Sequence, residues 1–97
     1  MADTRIYELV FIARPDVDKE GLGSLVEQLT RVVTVGGGEV VKVNEWGKRR
    51  LAYPIQRLRE GHYVLMQIQQ HPEKIEELNQ SLQVQENVIR HLIVRMD

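Results

Sequence analysis

Between Thr4 and Val33 the apolar residues change their spacing, from every second residue to every third or fourth. That change commits the first third of the chain to a strand followed by a helix. Thr4–Ala13 alternates imperfectly and is rich in Ile, Tyr, Val and Phe, with Tyr7, Leu9 and Phe11 on one face and Glu8, Val10 and Ile12 on the other. Arg14-Pro15-Asp16 ends the strand, because Pro15 lacks the amide that a central strand needs. Asp16 or Asp18 can cap the helix that follows. In that helix Leu22, Leu25, Val26, Leu29, Val32 and Val33 form one apolar stripe, with Ser24, Glu27, Gln28 and Arg31 behind it. Gly36-Gly37-Gly38 stops it. Phosphate-cradling glycines precede a helix, where free amides face the anion. These follow one, so they read as a C-terminal cap.

The remainder repeats the alternation. Glu39–Tyr53 reads as a long second strand, basic toward its end, and Pro54–Glu60 as a turn region. Gly61-His62-Tyr63 opens a third strand, with Val64, Met66 and Ile68 on one face and Tyr63, Leu65, Gln67 and Gln69 on the other. Pro72 suits the first turn of a second helix whose stripe is Ile75, Leu78 and Leu82. Glu86-Asn87 turns the chain into a last strand, Val88–Met96. Right-handed crossovers then place both helices on one face of a four-stranded antiparallel sheet. This is the ferredoxin-like split βαβ arrangement, an α+β fold, with strand order 4-1-3-2. At 97 residues, 1–97 is expected to form one domain.

No helix covers the other face of such a sheet. Val10, Ile12, Tyr63, Leu65, Leu92 and Val94 are expected there, with Glu8, Gln67 and Arg90 among them. A contiguous apolar patch marks a partner site, so Tyr63, Leu65, Leu92 and Val94 are candidate partner contacts. The competing expectation is that loops or the long basic hairpin fold over the patch. Trp46 is a further candidate anchor, or equally the rim of a core.

Net charge is −1, which by itself argues against a lone nucleic-acid binder, but the charges are not evenly spread. Residues 42–59 hold Lys42, Lys48, Arg49, Arg50, Arg57 and Arg59 against Glu45 alone, a local +5 flanked by segments of −3 on each side. Such a patch steers an anionic partner even on a near-neutral protein. The same cations on an edge strand would also guard it against aggregation. There is no cysteine, hence no disulfide or thiolate metal site. No apolar run approaches the length of a membrane span, and no signal-peptide core follows Met1-Ala2. His62, His71 and His91 lack metal-ligand spacing. Neither Ser24 nor Ser81 has a histidine placed to act as its base. No catalytic residue, metal or cofactor is expected. Compared with the RNA recognition motif, the third strand lacks the dense aromatics on which that module stacks bases.

The run Trp46-Gly47-Lys48-Arg49-Arg50-Leu51-Ala52-Tyr53-Pro54-Ile55 puts three consecutive cations beside aromatics. Cations neutralise phosphates and aromatics stack on bases or fill pockets. From Gly47 to Ile55 it resembles the signature of the family formed by the sixth protein of the bacterial small ribosomal subunit. Tyr7-Glu8, Gly61-His62-Tyr63 and Asn87-Val88-Ile89-Arg90 fit the same family at the openings of the first, third and last strands. The resemblance implies a ferredoxin-like, non-catalytic, ribosome-associated cytoplasmic protein. Its partners would be the central domain of small-subunit rRNA and the eighteenth small-subunit protein, bound as a heterodimer. Carried over residue by residue, the rRNA contacts would be Arg49 and Arg50 in the motif, with Lys48 and Tyr53, and by position Arg5 and Arg90. Many members carry a charged tail beyond the position of Asp97. A ferredoxin-like small-molecule-binding or oligomeric regulatory domain is the alternative, since this fold hosts many functions.

Overall fold

Tyr7, Leu9, Phe11, Val64, Met66 and Ile68 are all buried, so the predicted alternation of the first and third strands is the alternation of the folded chain. The computed structural model describes residues 3–96; Met1, Ala2 and Asp97, part of the expected 1–97 domain, lie outside the described residues. Along the chain come β1 (Arg5–Ala13), α1 (Lys19–Val35), β2 (Glu39–Ile55), β3 (Leu58–Gln70), α2 (Ile75–Gln83) and β4 (Val88–Arg95). A short 3-10 turn over Pro72–Lys74 leads into α2. The sheet order is β2-β3-β1-β4, with every neighbouring pair antiparallel. Read from β4, this is the expected 4-1-3-2.

One face of the sheet packs on both helices. Leu22, Leu25, Leu29 and Val33 of α1 and Leu78 and Leu82 of α2 join the six strand residues and Ala13 in a single cluster. Val26 and Val32 of the predicted stripe are only partly buried at its margin. Each fully buried apolar side chain contributes about 1.5–3 kcal/mol before chain entropy opposes it. Asp18 is the cap: its Oδ1 accepts from the Gly21 amide at 2.7 Å. At the other end the amides of Gly36, Gly37 and Gly38 donate to the carbonyls of Val32, Thr34 and Val33. The glycines therefore close the helix.

Gln70 is the buried polar side chain of this core. Its Nε2 donates to the Val33 carbonyl at 2.9 Å, and its Oε1 accepts from the His71 amide at 2.8 Å. One carboxamide thus ties the last turn of α1 to the end of β3.

Two boundaries differ from expectation. The Pro54–Glu60 turn region contracts to Gln56-Arg57: β2 continues to Ile55, and β3 begins at Leu58 rather than Gly61. Pro54 is tolerated because β2 is an edge strand, where a missing amide leaves no neighbour unpaired. Gln56 and Arg57 both adopt left-handed backbone, φ 53° and 67°, as a two-residue hairpin turn demands. Pro72 opens a 3-10 turn instead of the α-helix itself, with the Lys74 amide donating to the His71 carbonyl.

Candidate nucleic-acid interface

β1 pairs with β3 only as far as Ala13 opposite His62. β2 and β3 continue beyond that point, so residues 50–60 form a hairpin end projecting past the sheet. Gly61 marks where the hairpin leaves. A Cβ there would lie 2.5 Å from Ile12 Cγ2 and 2.8 Å from the Ala13 carbonyl oxygen, so only glycine lets the strands approach this closely.

The hairpin does not project freely. The Arg90 guanidinium of β4 donates to the Tyr53 hydroxyl and lies 5.8 Å from the centre of the Tyr53 ring. Arg90 sits opposite Ile12, on the far side of β1 from β3. The end of the hairpin therefore bends across β1 to reach β4. Beneath it Ile12 and Leu51 are both buried, and neither belongs to the main core. Ile12 was expected on the uncovered face; the hairpin covers it, because burying two β-branched or branched aliphatic side chains there outweighs solvating the strand end.

Lower on the same face, Trp46 stacks on Tyr63, centroids 6.1 Å apart and planes 15° from parallel. The Arg49 guanidinium carbon is 6.0 Å from the Trp46 ring centre. Trp46 is the extra residue of a β-bulge, where the register shifts between Glu45 opposite Val64 and Gly47 opposite Tyr63. Gly47 adopts φ 87°, the left-handed backbone that such an irregularity assigns to glycine. Trp46 is 41% exposed, so part of its ring faces solvent while the rest lies against Tyr63. Leu92 and Val94 are exposed on β4, at 61% and 43%. Leu65 and Tyr63 are half-buried between these two clusters.

The candidate RNA contacts are only partly gathered. Tyr53 and Arg90 meet at the hairpin end, and Arg50 lines a concavity with Tyr53, while Arg49 lies over the Trp46 ring. Lys48 lies opposite His62 and Arg50 opposite Glu60, on the strand face away from Arg49. Arg5 pairs with Gln70, at the opposite end of the sheet. Seven residues of β1 separate it from the level of Arg90, roughly 23 Å at about 3.3 Å per residue. Arg59, one of the local cations but not a motif residue, lines the same concavity as Arg50 and Tyr53. The turn alone would set Arg59 opposite Pro54; it comes beside Arg50 because the register shifts between Arg50 and Ile55, leaving Leu51–Pro54 against Arg59 alone, and no sequence signal marks that shift.

The ion pairs found among the described residues are Arg14–Asp16, Arg31–Glu27 and Lys74–Glu77, all outside the hairpin. The hairpin's positive charge is thus not cancelled by these pairs. Among the described residues no group of three His, Cys, Asp or Glu side chains is placed to hold a metal. Among the described residues no helix is long and apolar enough to cross a membrane. His91 faces α2, its Nε2 2.7 Å from Asn79 Oδ1, and burial lowers its pKa. The chemistry available at this end of the sheet is anion binding, aromatic stacking and apolar contact.

Fold and surface together define a ferredoxin-like α+β protein with a basic, aromatic-bearing hairpin. Residues 6–95 match the model of the family described as ribosomal protein S6. The small ribosomal subunit protein bS6 of Moorella thermoacetica is 42% identical over 93 residues, covering 96% of this chain and 95% of that protein. Its counterpart in Carboxydothermus hydrogenoformans is 41% identical, covering 96% and 97%. The crystal structure of 30S ribosomal protein S6 from Thermotoga maritima superposes with a TM-score of 0.91 at 30% identity, covering 97% of this chain and 89% of that one. The chain belongs to the ribosomal protein S6 family.

Proposed function

We propose that the protein is a non-catalytic scaffold of the small ribosomal subunit, associated with ribosomes in the cytoplasm. It binds the central domain of small-subunit rRNA together with the eighteenth small-subunit protein. The observation that carries this reading is the placing of Arg50 and Arg59 in one concavity beside Tyr53, whose ring and hydroxyl are held by Arg90, on a chain whose net charge is −1. Family membership gives the setting. The proposed RNA contacts are Arg5, Lys48, Arg49, Arg50, Tyr53 and Arg90. The proposed partner contacts are Trp46, Tyr63, Leu65, Leu92 and Val94. This division fits the mild overall acidity, since a basic partner would offset the net −3 of each segment flanking the basic hairpin.

The test is a filter-binding salt titration on a central-domain rRNA fragment, with and without the eighteenth protein. Tight, salt-sensitive binding that requires both proteins is the expected result. No binding in either arm, with both proteins folded, removes the reading.

A further inference from the structure

Arg50 and Arg59 line two neighbouring concavities of the hairpin end. One is walled by Leu51, Ala52, Tyr53 and Pro54; the other includes Glu60. We propose that the first concavity is a seat for a single backbone phosphate, gripped by Arg50 and Arg59 together. In taking that phosphate to be RNA's, the proposal rests on the scaffold reading above.

Four observations carry it. Two arginines that line one concavity bring like charges to it, and an anion bound there relieves their repulsion. Neither takes part in the ion pairs found among the described residues. The acid nearest the pair, Glu60, lines the second concavity and not the first, so the Tyr53 side is the one without a competing carboxylate. The walls are also held in place: Tyr53 is tethered by Arg90, and Leu51 is buried. Side chains anchored in this way keep the seat formed before an anion arrives, which lowers the ordering cost of binding. Size then limits the occupant. The concavity holds about 180 Å³, below the ~300 Å³ at which small-molecule sites begin. A phosphodiester group fits it and a cofactor does not. The planar fork of arginine suits phosphate oxygens, which lysine would meet only as a point charge.

In this arrangement Arg50 and Arg59 touch the phosphate, and Arg90 is a positioning residue that acts through Tyr53. Two experiments test the seat. In the first, the side-chain Nε–H resonances of the arginines are followed by NMR in the free protein during titration with inorganic phosphate. Sodium chloride of matched ionic strength is the control. Saturable shifts of Arg50 and Arg59 together, weakened for Arg50 in Arg59→Gln, are expected. In the second, RNA affinity is measured against salt for Arg50→Gln, Arg59→Gln and the double variant, in the presence of the eighteenth protein. Each single variant should weaken binding roughly tenfold. The double variant should lower the salt slope by about one unit in all, because one phosphate is lost. Arg59→Lys should keep most of the slope and lose part of the affinity.

A fall of about two units in the double variant means two separate phosphates and overturns the shared seat. RNA binding unchanged in Arg59→Gln overturns it as well, while leaving the scaffold reading intact. If the wild-type protein binds no RNA, the phosphate titration decides. Saturable shifts on both arginines then keep the anion seat and remove RNA as its source. Shifts that grow linearly and equally on all arginines overturn it.

Discussion

Gln70 shows how much one side chain can join. Its carboxamide accepts from its neighbour's amide and donates to the last turn of α1, inside a core that is otherwise apolar. Gln70→Leu would leave the Val33 carbonyl and the His71 amide without these partners. A loss of about 1–3 kcal/mol is expected, read from the midpoint of urea unfolding. A change within error would mean that water replaces both bonds. His91 makes a different demand. Burial lowers its pKa below the ordinary 6.5, so the folded protein resists a proton that the unfolded chain accepts. Its contribution is complete above pH 6.5 and is lost as pH falls from there through the folded value. Relative to His91→Gln, the wild-type protein should lose stability below that pH and run parallel above it. Thermal melts across the range check the sign; curves parallel throughout would refute it. Neither role was legible beforehand. Gln70 continues the inward alternation of Val64, Met66 and Ile68, but its partner Val33 and the partner of His91 lie on other elements.

Among the elements, the β2–β3 hairpin departs furthest from expectation. Pro54 and Gly61 look like punctuation, and together they suggest a seven-residue loop. The structure uses them otherwise. Pro54 occupies an edge strand, Gly61 permits close approach to β1, and the reversal falls on Gln56-Arg57. Neither turn residue is the asparagine or glycine that left-handed backbone prefers. Arg57→Gly should therefore stabilise the protein by about 0.5–1 kcal/mol, measured by thermal melting. A lower melting temperature would show that the Arg57 side chain offsets its backbone strain through contacts of its own. By contrast, α1 was legible almost residue by residue. Its stripe, an aspartate cap and the glycine stop are local signals, and the structure chose Asp18 over Asp16 as the cap.

Over the whole molecule the sheet works as a carrier with two different ends. The hairpin end concentrates guanidinium groups and rings, while Arg5 stands at the other end, roughly 23 Å away along β1. The proposed RNA contact set therefore spans the length of the sheet. Arg49→Ala and Arg5→Ala are each expected to reduce the slope of log affinity against log salt by about 0.7–0.9. A wild-type slope in Arg5→Ala would confine the contact to the hairpin. An unchanged slope in Arg49→Ala would show that its cation stays over the Trp46 ring when RNA binds.

Periodicity determined the order of elements and the core-facing side of β1, β3 and β4, and the strand order followed from crossover handedness and the split βαβ motif. The motif from Gly47 to Ile55 carried the family. Only the tertiary structure decided that the hairpin bends across β1 onto Arg90, that Ile12 lies beneath it, and that Arg59 joins Arg50. These depend on the irregular register between Arg50 and Ile55 and on one contact between residues 37 positions apart, neither of which leaves a mark in apolar spacing.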